Sequence, residues 1–277
     1  MTPRPAPKDQ VDRFRLLHRK GAAFIIPNFW DAGSARILEG LGFSALASTS
    51  SGFALTKGRA DYGVTRDEAL AHCREAAGAV DVPVSADLEN GFGPRAEDCA
   101  ETVRLAALTG LCGGSIEDTT GDTRNPIAEK SLAVERIAAA VEAARAALGG
   151  FVLTARADGL LHGAPALDDI IARLQAFEAA GADVLFAPGL PDLDAVKAVC
   201  ASVSRPVNVL VYGRLAEHSV DEFAEAGVAR LSLGGALAGE AYAALVEIAS
   251  AVSQSGRFKV LGQRREAAAK LRSIIRA

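Results

Sequence analysis

Short apolar runs recur along the chain at Phe24 to Pro27, Ala45 to Ser48, Val82 to Asp87, Gly114 to Glu117, Phe151 to Arg156, Val184 to Pro188, Val207 to Val211 and Arg230 to Leu233. Each is four to six residues of nearly continuous apolar character, the pattern of a strand buried on both faces rather than one with a wet side. Between most of them lie Ala/Leu/Glu/Arg stretches with helical periodicity: Ala96 to Leu108, Ala133 to Leu148, Leu167 to Ala180, Leu193 to Ala201 and Val220 to Ala226. Several of the helices end on a glycine just before the next strand, at Gly42, Gly110, Gly181 and Gly227, where a helix C-terminus favours one. The repeating unit is therefore βα. Eight such units predict a closed parallel (β/α)8 barrel of the TIM type. A doubly wound open sheet is the alternative, but it usually carries a glycine-rich fingerprint after its first strand, and Pro27-Asn28-Phe29-Trp30-Asp31-Ala32-Gly33 is not one.

Two further helical stretches follow, Leu237 to Val252 and Gln263 to Ile275, separated by Ser253-Gln254-Ser255-Gly256. One closes the barrel and one is spare. The spare helix sets Leu271, Ile274 and Ile275 beside Lys270, Arg272 and Arg276, so it is expected to pack on its own barrel or on a neighbouring copy. The expected organisation is a single barrel domain over 1–277, with 257–277 as a C-terminal helical extension.

Bulk composition narrows the partners. At 277 residues and 49% hydrophobic content the chain can bury one large core. Its formal charge of -4 comes from mixed acidic and basic residues with no basic block to neutralise a phosphate backbone, so no nucleic-acid partner is expected. No unbroken apolar run approaches the roughly 20 residues of a bilayer span, and the polar, Pro-rich stretch Met1 to Gln10 is unlike a signal peptide, so the expectation is a cytoplasmic enzyme without a membrane partner. The four cysteines, Cys73, Cys99, Cys112 and Cys200, have no CxxC spacing and read as reduced, packed thiols.

On a parallel barrel, residues that follow the strands gather at one mouth. Asp87 and Glu89 follow the third run, Glu117 and Asp118 the fourth, and Asp61 lies in the long loop after the second. Converging carboxylates repel one another unless a hard cation sits among them, and magnesium takes oxygen ligands while keeping several waters. As single residues they also fit helix caps and loop acids. Two acids followed closely by two glycines in Asp87-Leu88-Glu89-Asn90-Gly91-Phe92-Gly93 favour the metal.

At these residues the chain resembles the isocitrate lyase and phosphoenolpyruvate mutase superfamily. The likeness runs from about Phe24 to Gly239 through Pro27 to Arg36, Ser51-Gly52-Phe53, Asp61-Tyr62-Gly63, Ala86 to Gly93, Ile116-Glu117-Asp118 and Ala155-Arg156-Ala157-Asp158. The resemblance implies that Asp87 binds magnesium, with manganese as a substitute, while Asp61, Glu89 and Glu117 hold its waters. It also implies that Ser51, Gly52, Phe53 and Arg156 grip a small 2-oxo acid, with Asn208 at a further substrate contact, and that the protein is a homo-oligomer, a dimer or a tetramer with its last helix exchanged between barrels. In that scheme Arg156 and Glu117 serve the chemistry, and an enolate forms when a bond at C3 breaks.

Two departures shape the expected reaction. The members that cleave isocitrate or 2-methylisocitrate carry a Lys-x-Cys-Gly-His loop, where this chain has Thr119-Thr120-Gly121-Asp122-Thr123-Arg124-Asn125-Pro126, and Cys112 precedes its strand and so faces the wrong end. Leu210 and Val211 follow Asn208 where those lyases place a Thr and a Glu, which counts against isocitrate. The mutase branch carries a Lys and a His where this chain has Thr119 and Ala187-Pro188. The best reading is carbon-carbon cleavage of an oxaloacetate-like or substituted 2-oxo dicarboxylate. Phosphonate chemistry, of the mutase or hydrolase type, and 2-oxo acid binding without turnover are the alternatives. His18, His72 and His218 read as structural, His162 is an open candidate, and Gly234-Gly235 is either a phosphate-binding turn or a plain one.

Overall fold

The computed structural model describes residues 4–163 and 166–276. Nine strands form its sheet: β1 (Phe24–Ile26), β2 (Asn28–Phe29), β3 (Leu46–Ser48), β4 (Val84–Asp87), β5 (Gly113–Glu117), β6 (Val152–Arg156), β7 (Val184–Phe186), β8 (Val207–Leu210) and β9 (Arg230–Ser232). All neighbours are parallel, and the order runs β1-β9-β8-β7-β6-β5-β4-β3-β2. The ends of that order are adjacent in the chain. Pro27, which has no N–H to give a ladder, separates β1 from β2, so one stretch pairs with the last strand before the proline and with the next strand after it. The sheet is thus a (β/α)8 barrel whose first strand is divided, one segment more than the eight runs predict.

Helices follow the strands much as the periodicity suggests, with Leu167–Ala180 spanning the expected residues and the others shifted by a few at their ends. Gly181 shows why a glycine stops that helix: at φ 102° it turns the chain left-handed while its N–H and that of Ala182 satisfy the carbonyls of Glu178 and Phe177. The largest apolar cluster lies between strands and helices, through Val103, Ile137, Leu174, Phe177 and Val199. The opposite mouth from the strand C-termini is plugged by the helix Lys8–Leu17. Its Phe14 is fully buried against Ile26, Cys112, Val152 and Val184, a placement that keeps Cys112 away from the strand C-termini.

The C-terminal helices are Ala236–Ser255 and Arg265–Arg276. The latter folds back on the chain's own helix Ala32–Gly40, where a Cβ on Gly40 would meet Ile274 at 2.5 Å. The former, with 20 residues, is long and apolar enough, by length and composition, to cross a membrane. Counting unbroken apolar runs misses it because Glu240 and Glu247 interrupt the run without making the average polar. Only Ala238 within it is buried, and Leu245 and Val246 are exposed.

Candidate active site

A cavity of about 320 Å³ opens at the C-terminal ends of the strands. Register places its chemistry: Asp87, Glu117 and Arg156 end β4, β5 and β6, and Glu117 pairs directly with Arg156. Arg156 is the hub. Its guanidinium lies 3.1 Å from Asp87 Oδ1, 3.1 Å from Glu117 Oε2 and 2.7 Å from Asp158 Oδ2, and stacks 5.1 Å from the Phe186 ring centroid. A guanidinium presents five N–H donors in a rigid planar fork, enough to serve three carboxylates at once. It meets Asp158 and also reaches the two predicted site acids, Asp87 and Glu117.

Each acid is oriented by its surroundings. Asp87 receives the Ser50 hydroxyl at 3.2 Å on Oδ2 and the Glu89 N–H at 3.2 Å on Oδ1, while its own N–H donates to Ser48 Oγ at 2.8 Å. Asp158 is fixed through Asp118, which accepts its N–H at 2.8 Å and pairs with Arg173 at 3.2 Å. Glu117 accepts the Thr119 hydroxyl at 2.7 Å and the Tyr62 hydroxyl. Among the described residues, the non-glycine residues at positive φ are Tyr62, Glu89 and Phe92, all on loops at this mouth. Such strain persists only where packing over-determines it.

The electrostatics call for a cation. Asp87, Glu89, Glu117 and Asp158 gather with Asp61 at the rim, and among the described residues only Arg156 forms ion pairs with any of them. Burial, then the charges of Asp87, Asp61 and Glu117, push the Glu89 carboxyl up to about 8. Burial likewise raises Glu117 and Asp158, with Arg156 opposing in each case. Glu89 Oε1 is buried without a hydrogen-bond partner, an arrangement that costs stability unless something positive or a donor meets it. Among the described residues no three acids, histidines or cysteines form a ready-made ligand set, so the arrangement suits an ion held by few direct ligands and by water. Hard oxygen donors, surplus negative charge and an orphaned carboxylate oxygen together fit magnesium.

The predicted residues are not all brought together. Asp61, Asp87, Glu117, Arg156, Ser51 and Asn208 line the cavity. Glu89 lines the adjoining crevice with Asn90, Thr120 and Gly121 instead. Gly52 and Phe53 lie behind the wall. The Gly52 N–H donates to Thr49 Oγ1 at 3.3 Å, the Phe53 N–H to the Thr49 carbonyl at 3.0 Å, and the Phe53 ring stacks on His72 at 4.0 Å. Asn208 sits at the floor, bonded to Arg230 at 2.8 Å and to Ser232 at 2.9 Å. The Gly234 N–H is taken by Asn28 Oδ1 at 2.8 Å, and a Cβ on Gly235 would meet Ser51 Oγ at 2.8 Å, so close approach of the wall accounts for that glycine. His162 lines the cavity, His18 and His72 are buried in packing, and His218 pairs with Glu222 on the surface at 3.0 Å.

Sequence reasoning gave no role to Tyr62 or to Arg230, both of which line the cavity. Tyr62 lay inside a recognised motif. For Arg230 the signal was a lone charge opening an otherwise apolar strand.

Comparison with known proteins agrees with the barrel fold. Residues 14–253 match the family profile described as phosphoenolpyruvate phosphomutase. The chain is 31% identical over 72% of its length to 2-methylisocitrate lyase of Escherichia coli K12, covering 69% of that protein. It is also 31% identical over 69% of its length to oxaloacetate decarboxylase of Bradyrhizobium sp. BTAi1, covering 66% of it. Among solved structures, a putative lyase/mutase from Burkholderia cenocepacia J2315 superposes with a TM-score of 0.88 at 50% identity, covering 92% of each chain. A phosphonopyruvate hydrolase in complex with oxalate and Mg++ shares the fold, with a TM-score of 0.79 at 23% identity over 96% of this chain and 99% of that one. The relatives' names span lyase, decarboxylase and mutase, which sets the enzyme superfamily and leaves the bond broken open. With a profile match across most of its length and relatives above 30% identity, the chain belongs to the phosphoenolpyruvate phosphomutase family, within the isocitrate lyase/phosphoenolpyruvate mutase superfamily.

Proposed function

We propose that this protein is a magnesium-dependent lyase that breaks a carbon-carbon bond in a small 2-oxo acid, of the oxaloacetate-like or substituted 2-oxo dicarboxylate class. The observation that carries the reading is the convergence of Asp87, Glu117 and Asp158 on Arg156 at the cavity mouth. A magnesium ion bound by Asp87, with Asp61, Glu89 and Glu117 holding its waters, would supply Lewis-acid stabilisation of negative charge on the 2-oxo oxygen.

The chain's own residues do the rest. Arg156, held in the cavity wall by three carboxylates, donates to the substrate carboxylate or to the oxygen that gains charge. Tyr62 and Thr119 both donate to Glu117 Oε1 and so fix the face it presents to the cavity. Ser50 and Ser51 offer hydroxyls along the wall. All four cysteines are buried, and none of them lines the cavity, which supports a reaction that needs no thiol acid. Loss of carbon dioxide from a 3-carboxylated 2-oxo acid meets that condition because it needs an electron sink and no dedicated acid. A volume of about 320 Å³ suits a small acid. The name of the oxaloacetate decarboxylase relative supports the same class.

One observation favours a second reading, phosphonate chemistry: His162 lines the cavity and offers a group that a phosphoryl oxygen could meet. The test is a screen of 2-oxo acids, 2-hydroxy tricarboxylates and phosphonopyruvate for magnesium-dependent turnover, with Asp87→Ala as control. Turnover of oxaloacetate or a substituted relative, lost in Asp87→Ala, is expected. Full activity of Asp87→Ala would refute the mechanism, exclusive turnover of phosphonopyruvate would establish the second reading, and tight binding without turnover would make it a binding protein. The exposed Leu245, Val246, Phe258 and Leu261 support a homo-oligomer, dimer or tetramer, through the C-terminal helices.

A further inference from the structure

Arg230, the first residue of β9, is 5% exposed, and burial pushes its guanidinium down to about 9, which leaves it a cation at neutral pH. Among the described residues its hydrogen-bond partners are all uncharged. The Nε–H donates to Asn208 Oδ1 at 2.8 Å, one Nη2–H to Thr154 Oγ1 at 3.0 Å, and one Nη1–H to His18 Nε2 at 3.1 Å. His18 is itself neutral: its Nδ1 lies 2.8 Å from the Phe14 carbonyl, to which it donates, so Nε2 is the acceptor facing Arg230. Among the described residues no carboxylate pairs with Arg230, in contrast to Arg156, which holds three.

A guanidinium has five N–H donors. Three are spent on neutral acceptors and two remain. Arg230 also lines the same cavity as Asp87 and Arg156, among Ser85, Ser115 and Ser232. Thr154 lies two residues before Arg156 on β6, so the Arg230 guanidinium sits one interior layer deeper, about 7 Å below. Barrel interiors are usually filled at this depth by bulky branched side chains. Here small hydroxyl residues leave the layer open above a buried, unneutralised cation, which is expensive unless an anion completes it.

We infer that the floor of the barrel is an anion site in which Arg230, framed by Ser85, Ser115 and Ser232, holds one small monoanion, either a halide or a carboxylate. The inference does not depend on the reaction proposed for the mouth, because the carboxylates and Arg156 above it are separate groups.

Crystals of the wild-type protein soaked in sodium bromide test it directly. An anomalous bromide peak beside the Arg230 guanidinium is expected, lost when sodium formate replaces part of the bromide, since a carboxylate uses the same two donors. In solution, bromide should raise Tm by roughly 3 °C over the bulky sulfonate salt sodium HEPES at equal ionic strength, and Arg230→Gln should abolish that difference. If Arg230→Gln does not fold, the wild-type crystal and melting measurements still decide. Absence of a peak at Arg230 in bromide-soaked wild-type crystals overturns the inference, and would mean that the carboxylates at the mouth neutralise Arg230 at a distance.

Discussion

Replacing His18 with glutamine removes a titratable group while keeping a neutral acceptor toward Arg230. His18 follows the helix Lys8–Leu17, is 9% exposed, and is packed edge-on between Phe14 and Phe24, with ring centroids 4.7 and 5.2 Å away. Burial first, and the Arg230 charge second, hold its pKa at about 3 instead of 6.5. The folded protein therefore refuses a proton that the unfolded chain accepts between these values. The stability so contributed is fully present above pH 6.5 and is lost progressively as pH falls toward 3. At ~1.4 kcal/mol per pH unit, the gap corresponds to on the order of 5 kcal/mol across the whole window. Urea denaturation of wild type and His18→Gln at pH 7, 6, 5 and 4 reads this as a difference. Glu89, whose carboxyl is raised, changes stability in the opposite sense but is common to both proteins and cancels. Wild-type stability should fall relative to the variant by roughly 1 kcal/mol per unit below pH 6, whatever constant offset the substitution brings at pH 7. A flat difference from pH 7 to 4 would refute the neutral, buried histidine and with it the absence of a counter-charge at Arg230.

Four further outcomes follow from the site. Asp87→Ala should lower magnesium-dependent turnover by about 10³-fold or more and erase any rise of Tm with magnesium, as read by steady-state kinetics and thermal melting. Gly235→Ala drives a Cβ to 2.8 Å from Ser51 Oγ, so Ser51 must shift; a loss of about 1–2 kcal/mol in urea and a several-fold rise in KM are expected. Arg136, 2% exposed, donates to the carbonyls of Thr119 (3.0 Å) and Asn90; Arg136→Met should cost about 2–3 kcal/mol and speed amide exchange in both loops. Tyr62→Phe removes one of the two hydroxyl donors to Glu117 Oε1 and should cut kcat/KM about tenfold while stability changes by less than ~1 kcal/mol, because the ring is 41% exposed.

The repeating apolar runs were enough to determine the barrel and where its chemistry would collect. Strand and helix periodicities are local properties, and in a parallel barrel every strand delivers its C-terminal residues to one mouth, so Asp87, Glu117 and Arg156 could be placed together from the sequence alone. The division of the first strand at Pro27 was less visible, because closure depends on which neighbours the two halves find. Only the tertiary structure decided how the acids share Arg156, that Glu89 turns into the adjoining crevice at φ 49°, and that Gly52 and Phe53 give their N–H groups to Thr49 instead of the cavity. The same holds for Arg230, whose place beside His18 and Thr154 joins parts of the chain 212 and 76 residues away. Local pattern records whether a residue faces in or out; which side chains then meet depends on the register of strands far apart in sequence, and that is fixed only when the barrel closes.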